Sequence, residues 1–254
     1  MDFEIIDFHA HPYYDFGEVS QTEKEFIEGQ QKHGVSRVCG SVIYKDMNKR
    51  PLPEYETLVP HLNDTAFDFA QKSGGFIYPG VHVHPDFVDM SCLELERAKS
   101  RGYKLVGELV YYMMGYRKYA TKSFIEIMEY ARELGMVVNM HPTDPEDMFA
   151  LCEALPGLTI VWAHLSGYGW LEDEIDMMKK YENVFFDVSA HGCDKAGTIR
   201  YTIDRVGADR ILYGTDYPGY DPTVFIEGVM RECRCDGERE KIFSLNAKRL
   251  LGLK

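Results

Sequence analysis

Two histidines one residue apart, His9 and His11, close the apolar run Ile5-Ile6-Asp7-Phe8 near the start of the chain. Side chains alternate faces along a strand, so residues two apart point the same way from neighbouring pleats. Two imidazoles converging at a strand's end can grip one divalent cation, and imidazole suits zinc, iron and nickel. A single pair of this kind is a common accident. It gains meaning only if later strands end in further ligands, and several do: KLVGEL offers Glu108, MVVNMH ends in His141, TIVWAH in His164, and RILYGTD in Asp216. Any one of these could be an ordinary core residue, but the whole set is a poor candidate for coincidence.

These residues need elements that converge them. Apolar periodicity and breaker residues predict strands over 37–44, 76–83, 103–110, 136–141, 158–164, 184–189 and 210–214, after the first run. Helices are predicted over 22–33, 61–72, 91–100, 121–134, 145–154, 171–181, 196–206, 222–232 and 238–250, with Gly34 and Gly135 as stops. Residues 12–17 read as an aromatic loop. Residues 45–60, with Pro51, Pro53 and Pro60, read as a longer loop of the kind that caps an active site. Strand and helix thus alternate about eight times, and the strands are apolar throughout, as in a parallel sheet covered on both faces. The expected fold is a single (β/α)8 barrel domain over 1–254, with its chemistry at the C-terminal ends of the strands. An open doubly wound sheet is the runner-up, but no Gly-x-Gly-x-x-Gly follows the first strand.

The segments Ile6-Asp7-Phe8-His9-Ala10-His11, Trp162-Ala163-His164-Leu165-Ser166-Gly167 and Tyr213-Gly214-Thr215-Asp216-Tyr217-Pro218 resemble the amidohydrolase superfamily. The likeness is greatest to its amidohydrolase-related branch of hydrolases and nonoxidative decarboxylases, and it spans nearly the whole chain. The resemblance implies a metal-dependent barrel enzyme in which His9, His11 and His141 hold a metal with Asp216. His164 is then a ligand or a catalytic group beside it. Imidazoles and a carboxylate suit zinc with a position left open for water. Bound metal brings that water's pKa to about 7, so Asp216 can take its proton and His164 can steady an oxyanion or protonate a leaving group. Many binuclear relatives carry a carboxylated lysine on strand four. Here Glu108 stands at that strand, with Lys104 on the same face but deeper, so a second zinc ion is left open and other divalent transition metals share the donor set. The alternative role for Glu108 is to orient His141 or a substrate group.

Other residues rank lower. His82 and His84 repeat the His-x-His spacing but read as loop residues, since Val81 and Val83 complete their strand. His191 could reach the pocket mouth. Arg50 and Arg117 read as surface, and His33 and His61 as structural or exposed. The Tyr and Met cluster at 111–116 could wall a pocket for a cyclic or aromatic substrate.

Bulk properties set the remaining bounds. Hydrophobic residues make up 45%, enough for a real core, and the net charge of −13 argues against nucleic acid or anionic membrane as partner. The acidic start Met1-Asp2-Phe3-Glu4 is unlike a signal peptide, and the six scattered cysteines fit reduced thiols, so a cytoplasmic enzyme is expected. Its partner is a small-molecule substrate, with a homodimer left open. The preferred reading is a hydrolase acting on an amide, lactone or ester; the alternative is a nonoxidative decarboxylase of a carboxylated, aromatic-type substrate. A purely structural zinc site would close its fourth position and would not use both Asp216 and His164.

Overall fold

Strands too short to stand alone are held here by pairing with both neighbours. The computed structural model describes residues 3–12, 21–44 and 46–254. In chain order it contains β1 (Ile5–Asp7), α1 (Glu23–Gln31), β2 (Val35–Gly40), α2 (Tyr55–Lys72), β3 (Ile77–Val81), α3 (Val88–Ser100) and β4 (Leu105–Leu109). There follow α4 (Lys122–Glu133), β5 (Val137–Met140), α5 (Pro145–Ala154), β6 (Thr159–Trp162), α6 (Leu171–Lys180) and β7 (Val184–Asp187). The chain ends with α7 (Thr198–Val206), β8 (Ile211–Leu212), α8 (Pro222–Glu232), α9 (Asp236–Glu240) and α10 (Asn246–Leu251).

The eight strands pair in sequence order, each parallel to the next. Backbone bonds then join the last to the first: Phe8 N–H donates to Tyr213 O at 2.9 Å and Thr215 N–H to His9 O at 3.0 Å. The result is the predicted (β/α)8 barrel. Alternation along the strands divides the core in two. One residue from each strand (Ile6, Cys39, Tyr78, Leu105, Val137, Val161, Phe185, Leu212) forms an inner cluster with Ala247 and Leu251 of α10. Residues on the other face, such as Val38, Val106, Val138 and Phe186, pack under the helices.

Helix starts follow local chemistry. Thr22 and Glu25 form a reciprocal capping box at α1, and Asp144 and Asp221 cap α5 and α8 with Pro145 and Pro222 in the first turn. Several predicted boundaries moved, most of all the start of α2. The stretch read as a loop to Pro60 holds single 3-10 turns at Met47–Lys49 and Leu52–Glu54, and α2 already begins at Tyr55. Leu58, Val59, Leu62 and Ala66 bury the face of this helix, and that burial outweighs the backbone bond forfeited at Pro60. The last predicted helix begins at Asp236 and passes through a π stretch, Lys241–Leu245. The predicted aromatic loop after Pro12 lies almost entirely outside the described residues.

Close backbone approach between β3 and β4 requires glycine. A Cβ at Gly80 would lie 1.7 Å from Gly107 O. Gly80→Ala should therefore force the strands apart and cost about 1–3 kcal/mol, the usual scale of overpacking. Urea unfolding measures this, and an unchanged midpoint would contradict the close contact.

Candidate metal centre

Glu108, near the end of β4, is the hub of the site. Its Oε2 lies 3.3 Å from His9 Nε2 and 3.3 Å from His11 Nε2. Its Oε1 lies 3.0 Å from His141 Nδ1 and 3.4 Å from His164 Nε2. Asp216 Oδ1 approaches the first pair, 3.0 Å from His11 Nε2 and 3.7 Å from His9 Nε2. Every residue singled out in the sequence as a ligand or catalytic group therefore reaches one site. Among the described residues two groups have ligand-type atoms within 4.8 Å of one another: His9, Glu108 and His164, and His9, His11 and Asp216.

The donor set fits a divalent transition metal. His9 Nε2 is buried without a hydrogen bond, which is the arrangement of a lone pair kept for an ion. His11 Nδ1 bonds Ser41 O at 3.1 Å and His9 Nδ1 bonds Asp187 Oδ2 at 2.9 Å, so both rings turn Nε2 inward. Nitrogen and oxygen donors of this mixture suit manganese, iron or zinc alike. His141 differs, turning Nδ1 to Glu108 and Nε2 to the Tyr168 hydroxyl at 2.8 Å.

Electrostatics follow from crowding charges out of water. Burial alone would raise the Glu108 carboxyl, but the charge of His9 and the hydrogen bonds of His11, His141 and His164 outweigh it and hold the group well below the usual carboxylate range. Burial would likewise lower His11, yet Asp216 and Glu108 raise it to about 9. His141 goes the other way, since burial dominates and keeps its imidazole neutral. Asp216 is the one carboxylate of the cluster with marked exposure, its side chain 22% accessible against 2% for Glu108.

The loops that carry these groups are strained. His164, Ser166, Ala190 and Asp216 have φ values of 62°, 66°, 51° and 65°, the left-handed region that side chains disfavour. Each strand-end turn has a brace. Asp216 N–H donates to His9 O at 2.7 Å, and Ser166 N–H to Glu174 Oε2 at 2.7 Å. Asp7 accepts from His9 N–H, Thr215 N–H, Thr215 Oγ1 and Gln30 Nε2, tying β1, α1 and the turn before Asp216 together.

A cavity of about 230 Å³ opens over the cluster, lined by His11, Glu108, His141, His164 and Asp216 on one side and Ile43, Val110, Tyr112 and Met113 on the other. The expected Tyr and Met wall is thus present. His82 and His84 stay out of the cluster and hold loop carbonyls, Val42 O at 2.8 Å and Met114 O at 2.9 Å. His191 pairs with Asp194 at 2.6 Å and does not line the cavity. Arg50, Arg117 and His61 are exposed, and His33 contacts Thr223 at the surface. Sequence reading missed Asp187, Ser189, Asp7 and Tyr168. Asp187 was within reach: it is the last residue of β7, passed over because that strand was read on to Ser189.

A profile of the amidohydrolase family (Amidohydro_2) matches residues 6–253. Comparison with curated protein sequences gave no match. Among solved structures, 2,6-dihydroxybenzoate decarboxylase complexed with 2,6-dihydroxybenzoate is similar at a TM-score of 0.79 and 16% identity, covering 99% of each chain. Dihydroxybenzoic acid decarboxylase from Polaromonas sp. JS666, with bound manganese and 2-nitroresorcinol, gives 0.79 and 15%, covering 99% of this chain and 97% of that one. The 5-carboxyvanillate decarboxylase of Sphingomonas paucimobilis gives 0.73 and 15%, covering 94% and 85%. At these identities the likeness is one of fold. The profile match over nearly the full length, with the candidate ligands gathered at the strand ends, settles the family: the chain belongs to the amidohydrolase family.

Proposed function

We propose that this chain is a metal-dependent nonoxidative decarboxylase of a small hydroxylated aromatic carboxylate. The observation that carries the reading is the two-faced cavity, with metal-ligand types on one wall and Ile43, Val110, Tyr112 and Met113 on the other. Its volume of about 230 Å³ falls below the ~300 Å³ at which drug-sized sites begin, which suits a single ring. The fold neighbours named above, decarboxylases of hydroxylated or methoxylated benzoates, support the same substrate class.

His9, His11 and Asp216 would hold one cation, with His141 and His164 across Glu108 available to a second. When bound, the cation supplies the positive charge that anchors a carboxylate or, in a hydrolase, acidifies a water molecule. The apolar wall orients the ring and excludes water. Asp216, the accessible carboxylate, takes up the proton of the substrate's acidic hydroxyl and returns it to the ring carbon. With that carbon protonated, the bond to the carboxyl group breaks, its electron pair restores the aromatic ring, and carbon dioxide leaves. Hydrolysis of a lactone, amide or ester is the second reading. It is favoured by the described lining, whose side chains include no Arg or Lys to pair with a substrate carboxylate.

Metal-loaded protein offered 2,6-dihydroxybenzoate and related carboxylated phenols should release carbon dioxide. Hydrolysis of lactones or amides with no decarboxylation would overturn the first reading in favour of the second. Asp216→Asn keeps the shape but cannot carry the proton, so turnover should fall on the order of a hundredfold or more in metal-replete protein. Near-normal turnover would place the proton elsewhere.

Two binding measurements test the centre itself. With one oxygen facing each histidine pair, Glu108 is shaped to bridge. Wild type should take about two equivalents of manganese or zinc at saturation and Glu108→Gln about one; one equivalent in both would remove the bridge. In the cation-free protein His11 titrates at about 9, so below that pH a cation must displace its proton. Affinity, measured by chelator competition, should rise about tenfold per pH unit for each proton displaced and level off above about 9. Affinity independent of pH would contradict the assignment of His11.

A further inference from the structure

Asp187 lies at the centre of a buried network of which the roles above use only its bond to His9. It is fully buried, and each of its neighbours offers it a hydrogen. Oδ1 accepts from the backbone of His164 at 3.2 Å, from the backbone of Ser189 at 3.0 Å and from the Ser189 hydroxyl. Oδ2 accepts from Asn139 Nδ2 at 3.1 Å and faces His9 Nδ1 at 2.9 Å. The Asn139 amide is oriented independently, because the same nitrogen also donates to Val161 O at 3.1 Å. A carboxylate saturated by donors has no hydrogen to give, so the hydrogen between it and His9 sits on Nδ1.

The same counting passes through Ser189. A hydroxyl has one hydrogen, and Ser189 commits it to Asp187. Ser189 Oγ lies 2.9 Å from His164 Nδ1 and 3.1 Å from His9 Nδ1, and towards both it can only accept. His164 must then also carry its hydrogen on Nδ1. In the neutral form each ring is left with Nε2 as its lone pair, and both Nε2 atoms face Glu108, at 3.3 Å and 3.4 Å.

We infer that Asp187 and Ser189 are positioning residues that fix the tautomer of two histidines on different strands, His9 directly and His164 through the serine hydroxyl. The inference rests on the reading that these histidines bind a cation, and it adds a device that presents both lone pairs at once. Partners of this kind behind metal-bound histidines contribute about 10- to 100-fold in affinity. An asparagine at 187 could turn its NH2 group to His9 Nδ1, which would move the ring's hydrogen to Nε2 and block the ligand position.

The test uses zinc-loaded protein labelled with 15N in its histidines. Two-bond proton–nitrogen spectra of wild type should show His9 and His164 both protonated at Nδ1. Zinc affinity should fall about tenfold in Ser189→Ala and about a hundredfold in Asp187→Asn, with the cation-free unfolding temperature of Ser189→Ala close to that of wild type. Wild type with either ring protonated at Nε2, or Ser189→Ala with unchanged affinity and an unchanged His164 signal, would overturn the inference while leaving the metal centre intact. Wild type that takes up no zinc would overturn both. The spectrum of the wild-type protein decides the question even if a variant fails to fold.

Discussion

A carboxylate removed from water costs several kcal/mol unless positive charge stands against it, and Glu108 is only 2% exposed. The rest of the site is arranged around that constraint. Four imidazole nitrogens surround its two oxygens within 3.4 Å, and two further carboxylates, Asp216 and Asp187, press on the same histidines. The described cavity lining contains no Lys or Arg to supply permanent positive charge. Among the described residues, the positive charge that balances these carboxylates comes from protons on the histidines or from a divalent ion in their place. This is why the shifts of Glu108, Asp216 and His11 all run towards the charged form despite burial, and why a proton and a cation compete for one set of nitrogens.

Holding so many like groups together needs a stiff support. The barrel provides it by converging strand ends, and the turns just beyond those ends are fixed in left-handed conformations. Each unfavoured backbone is met by a specific acceptor: Asp187 for His164, Glu174 for Ser166, the Thr215 carbonyl for Ala190 and the His9 carbonyl for Asp216. Asp7 performs a similar service for β1 and the final turn, so the carboxylates behind the site set its shape while those in front set its chemistry. Strain collected in this way at one end of a fold is characteristic of sites that must present groups in a fixed geometry.

Much of this was legible in the sequence, for identifiable reasons. Strands β5 and β6 are largely apolar runs followed within two residues by histidine, so element and candidate ligand announce each other. Helices α5 and α8 begin where Asp-Pro says a helix should, and their bounds match residue for residue. What escaped was whatever depends on distant partners. The start of α2 at Tyr55 is decided by burial against neighbouring elements, which local propensity around Pro60 opposes. The tie from Asp187 to His9 spans 178 residues and has no local signature. Tyr168 meets His141 only because a strained turn brings it there. The choice between decarboxylation and hydrolysis was equally closed to the sequence, since both chemistries use the same ligand types.

The central claim is that the nitrogens and oxygens around Glu108 form a cation site. Anomalous diffraction at the manganese absorption edge, from crystals grown with manganese, addresses it without reference to any substrate. The account predicts a strong peak between His9 Nε2, His11 Nε2 and Asp216 Oδ1, within about 2.3 Å of each, the ordinary range for nitrogen and oxygen ligands. Crystals of well-ordered protein with manganese bound only elsewhere, or not at all, would contradict it.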